Sequence, residues 1–542
     1  MKKSKGKKEV LISIIFLALL LGIIHFSVYP SVIYPWTDEI IYVEMAKYFA
    51  GSLGPSISGF YELMRPPLLS FFYSPLYLLG IVREVDINNL EGLNIETFRI
   101  PLYTYNYLLN LASIVVIFSL ILFLGGYKEK KIKEKRLLLL SAILVLIYFM
   151  FNKIYINYGE RILPDPLSEG LTLLALLLIA INKPLTKTSK KSYITMFVSG
   201  ALFGLAFLTR FNQLLLFIAF ILLLLLEVFI LLVQNKKKKA TRILLLIIVL
   251  LLGFAIPFML YSLFLGSIHA SIFEVLEKAS EVVRQDSSLF PGSPIYYLKE
   301  LILTVPGIFL LLIFGIFHKT NIKDKKWAEK KIIIQAISLY VLILLIYLSF
   351  FFPLKIYRYL FSMLPGIIVL SGIIMYKILK NIKRNVVYKI FFALFSLLLI
   401  VNIINSAMII RWHTVKNEDY IKDIEFIVQS LKSMNISSEN YVIFTNKVEL
   451  GMYLKNTVIY IRWWCQKRAL ELILNNSKEI EGYAELYPLL DIHSGYKVVP
   501  IIDYSIPVLA DEEEKKQEIK EFLEKKFGVY AYSGNIYVYN PR

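Results

Sequence analysis

The chain has one cysteine, Cys465, among 542 residues. No intramolecular disulfide can form, and a cysteine-based zinc framework is excluded. Histidine is nearly as scarce, with five copies, and His269, His318 and His413 are scattered along the chain. A histidine-built metal cluster is therefore not expected. No internal repeat is present, which removes one mark of many transporter folds. Acids are in the minority, 41 Asp and Glu against 60 Lys and Arg, for a formal net charge of +19. Such a basic balance can serve nucleic acid. Here, however, the lysines sit in short loops between apolar runs, as they do in the cytoplasmic loops of membrane proteins. Nucleic acid is excluded as a partner, and the lipid bilayer takes its place.

What the chain has in abundance is apolar sequence, 57% of all residues, against roughly 45–50% in soluble domains. The excess comes in blocks of about 15–25 residues, the length that crosses a hydrocarbon core of about 30 Å. Clear runs cover residues 10–29, 100–124, 137–155, 166–182, 193–209, 213–234, 243–265, 298–317, 332–352, 359–377 and 389–410. A further run, Pro67–Val82, is short for a span. The basic loops 128–136, 183–191, 236–242, 319–331 and 377–389 decide its placement. If it crossed, all five would lie opposite the basic N-terminus. If it lies in the interface, all five share the N-terminal side, as the positive-inside rule asks. The expectation is an all-α polytopic membrane domain, residues 1–410, with about eleven transmembrane helices and juxtamembrane helices in the first outer loop. Its N-terminus is cytoplasmic. After residue 410 the apolar runs shorten and charges interleave. Residues 411–542 read as a small α/β domain on the extracytoplasmic side. Helical spacing covers 420–431 and 511–527, and strands are expected at 441–444, 458–461, 529–532 and 536–539.

The polar groups concentrate on the outer side. Thr37-Asp38-Glu39 opens a short amphipathic helix whose stripe is Ile41, Met45 and Tyr48. Read alone, two acids in a first turn complement the helix dipole. Other charges join them on the same face. Arg161 and Asp165 lead into the fourth span, Arg210 ends the fifth, and Tyr357 and Arg358 open the tenth. Arginine is disfavoured on that side, and ionisable groups at membrane depth face a cavity or a partner. Together they describe an outer-leaflet pocket, with acids for catalysis and arginines for an anion.

The order of these segments resembles a known family. After the first span come Asp38-Glu39 with Tyr42 and Ala46, then Arg65-Pro66-Pro67-Leu68, Phe98-Arg99-Ile100-Pro101, Leu163-Pro164-Asp165 and Gly204-Leu205-Ala206-Phe207-Leu208-Thr209-Arg210. This looks like the GT-C glycosyltransferases, in particular dolichyl-phosphate-mannose–protein mannosyltransferases and aminoarabinose transferases. The resemblance covers residues 10–215 well and the later spans loosely. It implies an enzyme that moves a sugar from a polyprenyl-phosphate donor to a protein, lipid or glycan acceptor on the outer face, with inversion. By the resemblance Asp38 is the general base, with Glu39 beside it. Arg65 stands where aminoarabinose transferases carry a phosphate-approaching lysine, although the glutamate that precedes that lysine is Met64 here. Tyr42, Arg161, Asp165, Arg210, Tyr357 and Arg358 are the remaining substrate-site candidates. No cofactor is required by this reading. A divalent metal ion, if one is used, would sit at Asp38 and Asp165. The competing reading is a transporter or flippase of lipid-linked saccharide, which would place polar groups at the midplane and break its helices there.

Overall fold

The computed structural model describes residues 2–28, 37–50, 66–82, 95–159, 161–186, 189–264, 292–317, 328–353, 355–383, 386–436, 441–447, 450, 457–460, 497–504 and 513–541. In chain order its longer helices are α1 (Lys2–Val28), α2 (Thr37–Phe49), α3 (Leu68–Leu78), α4 (Ile95–Leu124), α5 (Ile132–Met150), α6 (Pro164–Asn182), α7 (Lys190–Thr209) and α8 (Leu214–Val233). They continue as α9 (Lys237–Phe264), α10 (Tyr296–Thr304), α11 (Pro306–Phe317), α12 (Ala328–Ile346), α13 (Leu364–Asn381), α14 (Val386–Ser433) and α15 (Glu513–Lys526). The strands are β1 (Tyr441–Thr445), β2 (Thr457–Tyr460), β3 (Lys497–Asp503), β4 (Val529–Ser533) and β5 (Ile536–Tyr539). Two compact units result. One joins Met1–Val28 to Asn106–Trp412, and the other joins Tyr29–Tyr105 to His413–Arg542. The division drawn from sequence kept residues 29–105 with the spans, whereas the compact units group them with the tail.

Among the described residues, nine helices are long and apolar enough to cross a membrane, or ten if the bent pair α10 and α11 is one span. The difference from eleven lies at 137–155. That run is α5, whose first turns carry Lys133, Glu134, Lys135 and Arg136, so charge interrupts it too often to count among the nine, although it leads from the basic loop at 128–136 to the segment before α6. α3 is an apolar helix of 11 residues, also too short to cross at 1.5 Å per residue, in keeping with an interfacial placement.

Burial separates the spans of the first unit. The window around α13 is 83% buried and that of α14 is 11% buried. α13 is thus a central helix, while α14 turns Leu397, Ile400, Ile404 and Met408 outward, as a helix facing lipid does. α7 and α9 touch backbone to backbone. A Cβ placed on Gly200 would meet the Leu250 carbonyl, and one on Gly204 would meet that of Phe254. Gly200 and Gly204 form a small-residue pair four apart, which lets helices approach in an environment that offers little hydrophobic drive.

The basic loops gather at one end of this unit. Arg136 donates two hydrogen bonds to Glu9 at 3.1 Å, and Lys380 pairs with Glu134 at 2.9 Å. Thr186 donates to Glu329 through its amide and its hydroxyl, and Arg242 donates to the Pro184 carbonyl at 2.6 Å. Lys330 lies 6.0 Å from the centre of the Phe123 ring and joins the two sets, so the N-terminal part of α1 shares an end with the described parts of all five loops. α6 runs from Pro164 at the other end to Asn182, next to the loop at 183, so its N-terminus marks the opposite face.

The bend between α10 and α11 is 103° and falls at Val305-Pro306, where proline cannot continue the hydrogen-bond ladder. Side chains take up the freed backbone groups. Asn152 donates to the Thr304 carbonyl, and the Gly307 amide donates to the Tyr148 hydroxyl at 3.0 Å. Such repair is what permits a break at membrane depth.

In the second unit, α2 packs on α3 through Phe49 stacked on Phe71 and through Ser70 Oγ, which donates to the Tyr42 carbonyl at 2.9 Å. The sheet has the order β2-β1-β3-β5-β4. β1 runs parallel to β2 and β3, and β5 runs antiparallel to β3 and β4. At the carboxyl ends of β1 and β3, the buried Lys447 ammonium donates to Asp503 at 2.8 Å and to Asp423 at 3.4 Å. The Asn446 amide makes two 2.8 Å bonds to the backbone of Asp503.

Candidate functional site

Three segments of the first unit converge at the face opposite the basic loops. Leu163-Pro164 starts α6, where proline at the first position costs no hydrogen bond. Asp165 follows in the first turn, where the helix dipole favours an acid. Arg210 caps the end of α7, the terminus that favours a cation. Arg358 sits in the short 3-10 helix Tyr357–Met363 that precedes α13. Local dipoles thus place one acid and one base before any tertiary contact forms.

Tertiary packing then brings them together. Asp165 is fully buried. Its Oδ1 pairs with Arg210 Nη1, and its Oδ2 lies 3.6 Å from Arg358 Nη2. The Arg210 guanidinium also lies 5.7 Å from the centre of the Tyr359 ring. One carboxylate thus draws two guanidiniums to one point, and charged donors of this kind are what an incoming anion can use. Planar guanidinium matches phosphate oxygens two at a time.

A second layer surrounds the triad. Arg161 is buried and donates from Nε to the Asn157 carbonyl at 2.9 Å, closing the turn before α6. Asn157 donates to the Tyr357 hydroxyl at 3.1 Å, and Tyr158 meets the Tyr357 ring edge-on at 5.3 Å. The Lys153 ammonium lies 5.2 Å from the same ring. Burial pushes the Tyr158 phenol well above its ordinary value, and Tyr357 adds to this. Arg358 and Arg161 pull in the other direction. Lys355 is shut away from the site. Its ammonium donates to the carbonyls of Leu348, Ser349 and Phe352, and burial lowers its proton affinity.

Of the residues singled out from sequence, Arg161, Asp165, Arg210, Tyr357 and Arg358 come together here. Glu39 and Tyr42 are buried on α2 in the second unit. The side chain of Asp38 and the whole of Arg65 lie outside the described residues. Among the described residues, no three His, Cys, Asp or Glu side chains form a group able to hold a metal ion. Asp165 already faces two guanidiniums, an arrangement that does not fit a bound cation.

Sequence reading missed Glu169, Gln213, Thr172, Tyr340, Asn212 and Ser362, which form a polar layer beneath the triad. Gln213 donates to the fully buried Glu169, and Thr172 Oγ1 reaches Gln213 Oε1 at 3.1 Å. Tyr340 donates to the Ser362 carbonyl at 2.9 Å, and Asn212 donates to Ser362 Oγ at 2.7 Å. A signal for Glu169 was available, since it is an acid inside an apolar run, one helical turn beyond Asp165.

Comparison with known proteins agrees with this architecture. The family model described as the Alg9-like mannosyltransferase family matches residues 97–448, more than half of the chain. No curated protein sequence matches. Among solved structures, the chain is similar to ArnT from Cupriavidus metallidurans bound to undecaprenyl phosphate. The TM-score is 0.55 at 13% identity, covering 97% of each chain. The apo state of the same protein gives a TM-score of 0.51 at 13% identity, over 96% of this chain and 97% of that one. The archaeal oligosaccharyltransferase AglB from Archaeoglobus fulgidus, in complex with an inhibitory peptide and a dolichol-phosphate, gives 0.51 at 12% identity. That match covers 98% of this chain and 74% of AglB. At these identities the likeness is one of fold, and the fold is the GT-C one.

Proposed function

The chain belongs to the Alg9-like mannosyltransferase family, and from that premise we propose that this membrane glycosyltransferase takes its sugar from a polyprenyl-phosphate carrier. It delivers the sugar to a protein, lipid or glycan acceptor on the outer face of the membrane. The observation that carries the reading is the Asp165–Arg210–Arg358 triad, which gathers two buried guanidiniums at one carboxylate. Two proteins of similar fold support it, one bound to undecaprenyl phosphate and one in complex with a dolichol-phosphate. In this reading the N-terminus and the basic loops are cytoplasmic, and the triad lies at the outer leaflet.

The chemistry needs two things. The acceptor must lose a proton, and the leaving phosphate must be stabilised as its negative charge grows. Asp38 acts as the base. Arg358 and Arg210 hold the phosphate, where preorganised donors act most strongly in a site that excludes water, and the family resemblance adds Arg65 to this role. Base and leaving group on opposite faces of the anomeric carbon give inversion. A metal, if one is used, rests on Asp38 rather than on Asp165.

A flippase remains the second reading, favoured by the 103° break between α10 and α11. Purified wild type and Asp38→Asn, given a panel of radiolabelled polyprenyl-phosphate sugars in detergent, separate the two. Transfer to an acceptor by wild type alone is expected. Equal transfer by both removes Asp38 as base. No transfer by either folded protein, across a broad donor panel, overturns the enzyme in favour of the flippase.

A further inference from the structure

The broken span has a cavity of its own, where α10, α11 and α14 meet the end of α5. It encloses about 440 Å³, within the range of sites that hold a small molecule. Tyr148, fully buried, lies at its floor. Pro306 at the bend and Leu398, Val401 and Ile409 of α14 continue the apolar lining. The polar groups of the floor are already spent. The Tyr148 hydroxyl accepts from the Gly307 amide, Asn402 donates to the Tyr148 carbonyl at 3.0 Å, and the Thr304 carbonyl accepts from Asn152. A floor satisfied in this way gives water few partners and suits hydrocarbon.

Two exposed polar side chains, Lys153 and Asn405, line the same cavity. Among the described residues Lys153 enters no ion pair, and its ammonium lies over the Tyr357 ring. Asn405 makes no hydrogen bond among the described residues. Its neighbours on α14 do, since Asn402 and Ser406 donate to the carbonyls of Tyr148 and Phe151. α5 leads away from the basic loop at 128–136, so Lys153 stands at the end opposite the lysine-rich loops. Topology asks for no cation there.

The dimensions name the occupant. α14 starts beside the basic loop at 377–389, so Leu398 lies deep and Ile409 lies near the opposite end. The rise from Leu398 to Ile409 is about 16 Å at 1.5 Å per residue. One leaflet of a hydrocarbon core of about 30 Å is about 15 Å deep. Val401 is 44% exposed and Met408 57%, so this wall reaches the lipid. We propose that the cavity binds one anionic glycerophospholipid of the leaflet opposite the basic loops. One chain lies against Tyr148, Leu398 and Val401, and the phosphate sits on the Lys153 ammonium with the Asn405 amide beside it. The strip ends within a single leaflet, as a phospholipid chain does. Its cation is separate from the guanidiniums assigned to the carrier phosphate, so the proposal does not depend on the transfer reaction.

Native mass spectrometry of the full chain in detergent, titrated with phosphatidylglycerol or phosphatidylcholine, tests it. Wild type should hold one phosphatidylglycerol about fivefold more tightly than phosphatidylcholine, the worth of one lysine at an anionic headgroup. Lys153→Met should bind the two lipids equally. Val401→Trp fills the strip from a half-exposed position of α14, and it should lose the tight site for both. Should Lys153→Met fail to fold, Asn405→Leu removes the other headgroup contact and should weaken phosphatidylglycerol alone. Equal binding of the two lipids by wild type would overturn the headgroup contact. Wild-type binding in a folded Val401→Trp protein would overturn the cavity as the site. Displacement of phosphatidylglycerol from wild type by an equimolar polyprenyl phosphate would give the cavity to the carrier and overturn the phospholipid.

Discussion

Each unit contains a buried ion triad, and the two are opposite in composition. In the first unit one acid, Asp165, faces two bases, Arg210 and Arg358. In the second, one base, Lys447, faces two acids, Asp503 and Asp423. The Lys447 group is built as a closed joint. The Asn446 amide locks the β1 and β3 ends together, and the partly exposed Asp423 reaches Lys447 from α14. The Asp165 group instead gathers two guanidiniums, whose side chains are 10% and 13% exposed, at one carboxylate. A closed joint stabilises a fold, whereas paired guanidiniums offer planar donors to an anion that arrives and leaves.

Substitutions can break this comparison, and the largest effect belongs to function. Arg358→Gln should lower sugar transfer by about 10²-fold, the cost of removing one preorganised charge donor, measured as kcat in detergent. Next comes stability in the first unit. Asp165→Asn strips two buried guanidiniums of their carboxylate and should cost about 3–5 kcal/mol, read from thermal unfolding. Lys447→Met should cost about 3 kcal/mol by the same reasoning and yet leave kcat at the wild-type value. A loss of kcat in the Lys447 variant at a temperature where it is folded would erase the distinction between joint and site. Smaller again, Gly204→Leu drives a side chain into the Phe254 carbonyl and should cost about 2 kcal/mol through overpacking.

The smallest effect sits at the basic end. The Lys380 ammonium bonded to Glu134, with Lys130 beside it, holds the Glu134 carboxyl below its ordinary value. A depressed carboxyl contributes stability above the ordinary value, about pH 4.3, and loses it as pH falls through the depressed one. The group is a third exposed, so solvent screening limits the contribution to at most about 0.5 kcal/mol. Acid unfolding curves of wild type and Glu134→Gln should therefore coincide below that range and separate slightly above it.

Much of this architecture is legible in sequence because its causes are local. Apolar runs of span length give the membrane helices, and lysine placement identifies the loops that the structure gathers at one end. The first-turn acid at Asp165 and the helix-ending Arg210 are dipole-compatible positions that sequence alone exposes. The final hairpin, β4 and β5, follows from alternating Tyr and Val around Gly534, whose φ of +57° suits the turn. Other features depend on distant partners. β3 contains Pro500, which argues against a strand, yet it pairs with β1 on one side and β5 on the other. The break at Val305-Pro306 hides in a run that averages as apolar, and only Asn152 and Tyr148 make it tolerable. Glu169 is legible as an oddity, but its hydrogen-bond partner Gln213 lies 44 residues away along the chain.

The most direct measurement is equilibrium binding of polyprenyl phosphate to purified wild type and to Arg358→Gln, in detergent at fixed ionic strength. If the guanidiniums of the Asp165 triad hold the carrier phosphate, Arg358→Gln should weaken binding by about tenfold or more, the worth of one charge-assisted contact. An unchanged Kd in a folded Arg358→Gln protein would contradict it and leave the triad as a joint of the same kind as Lys447.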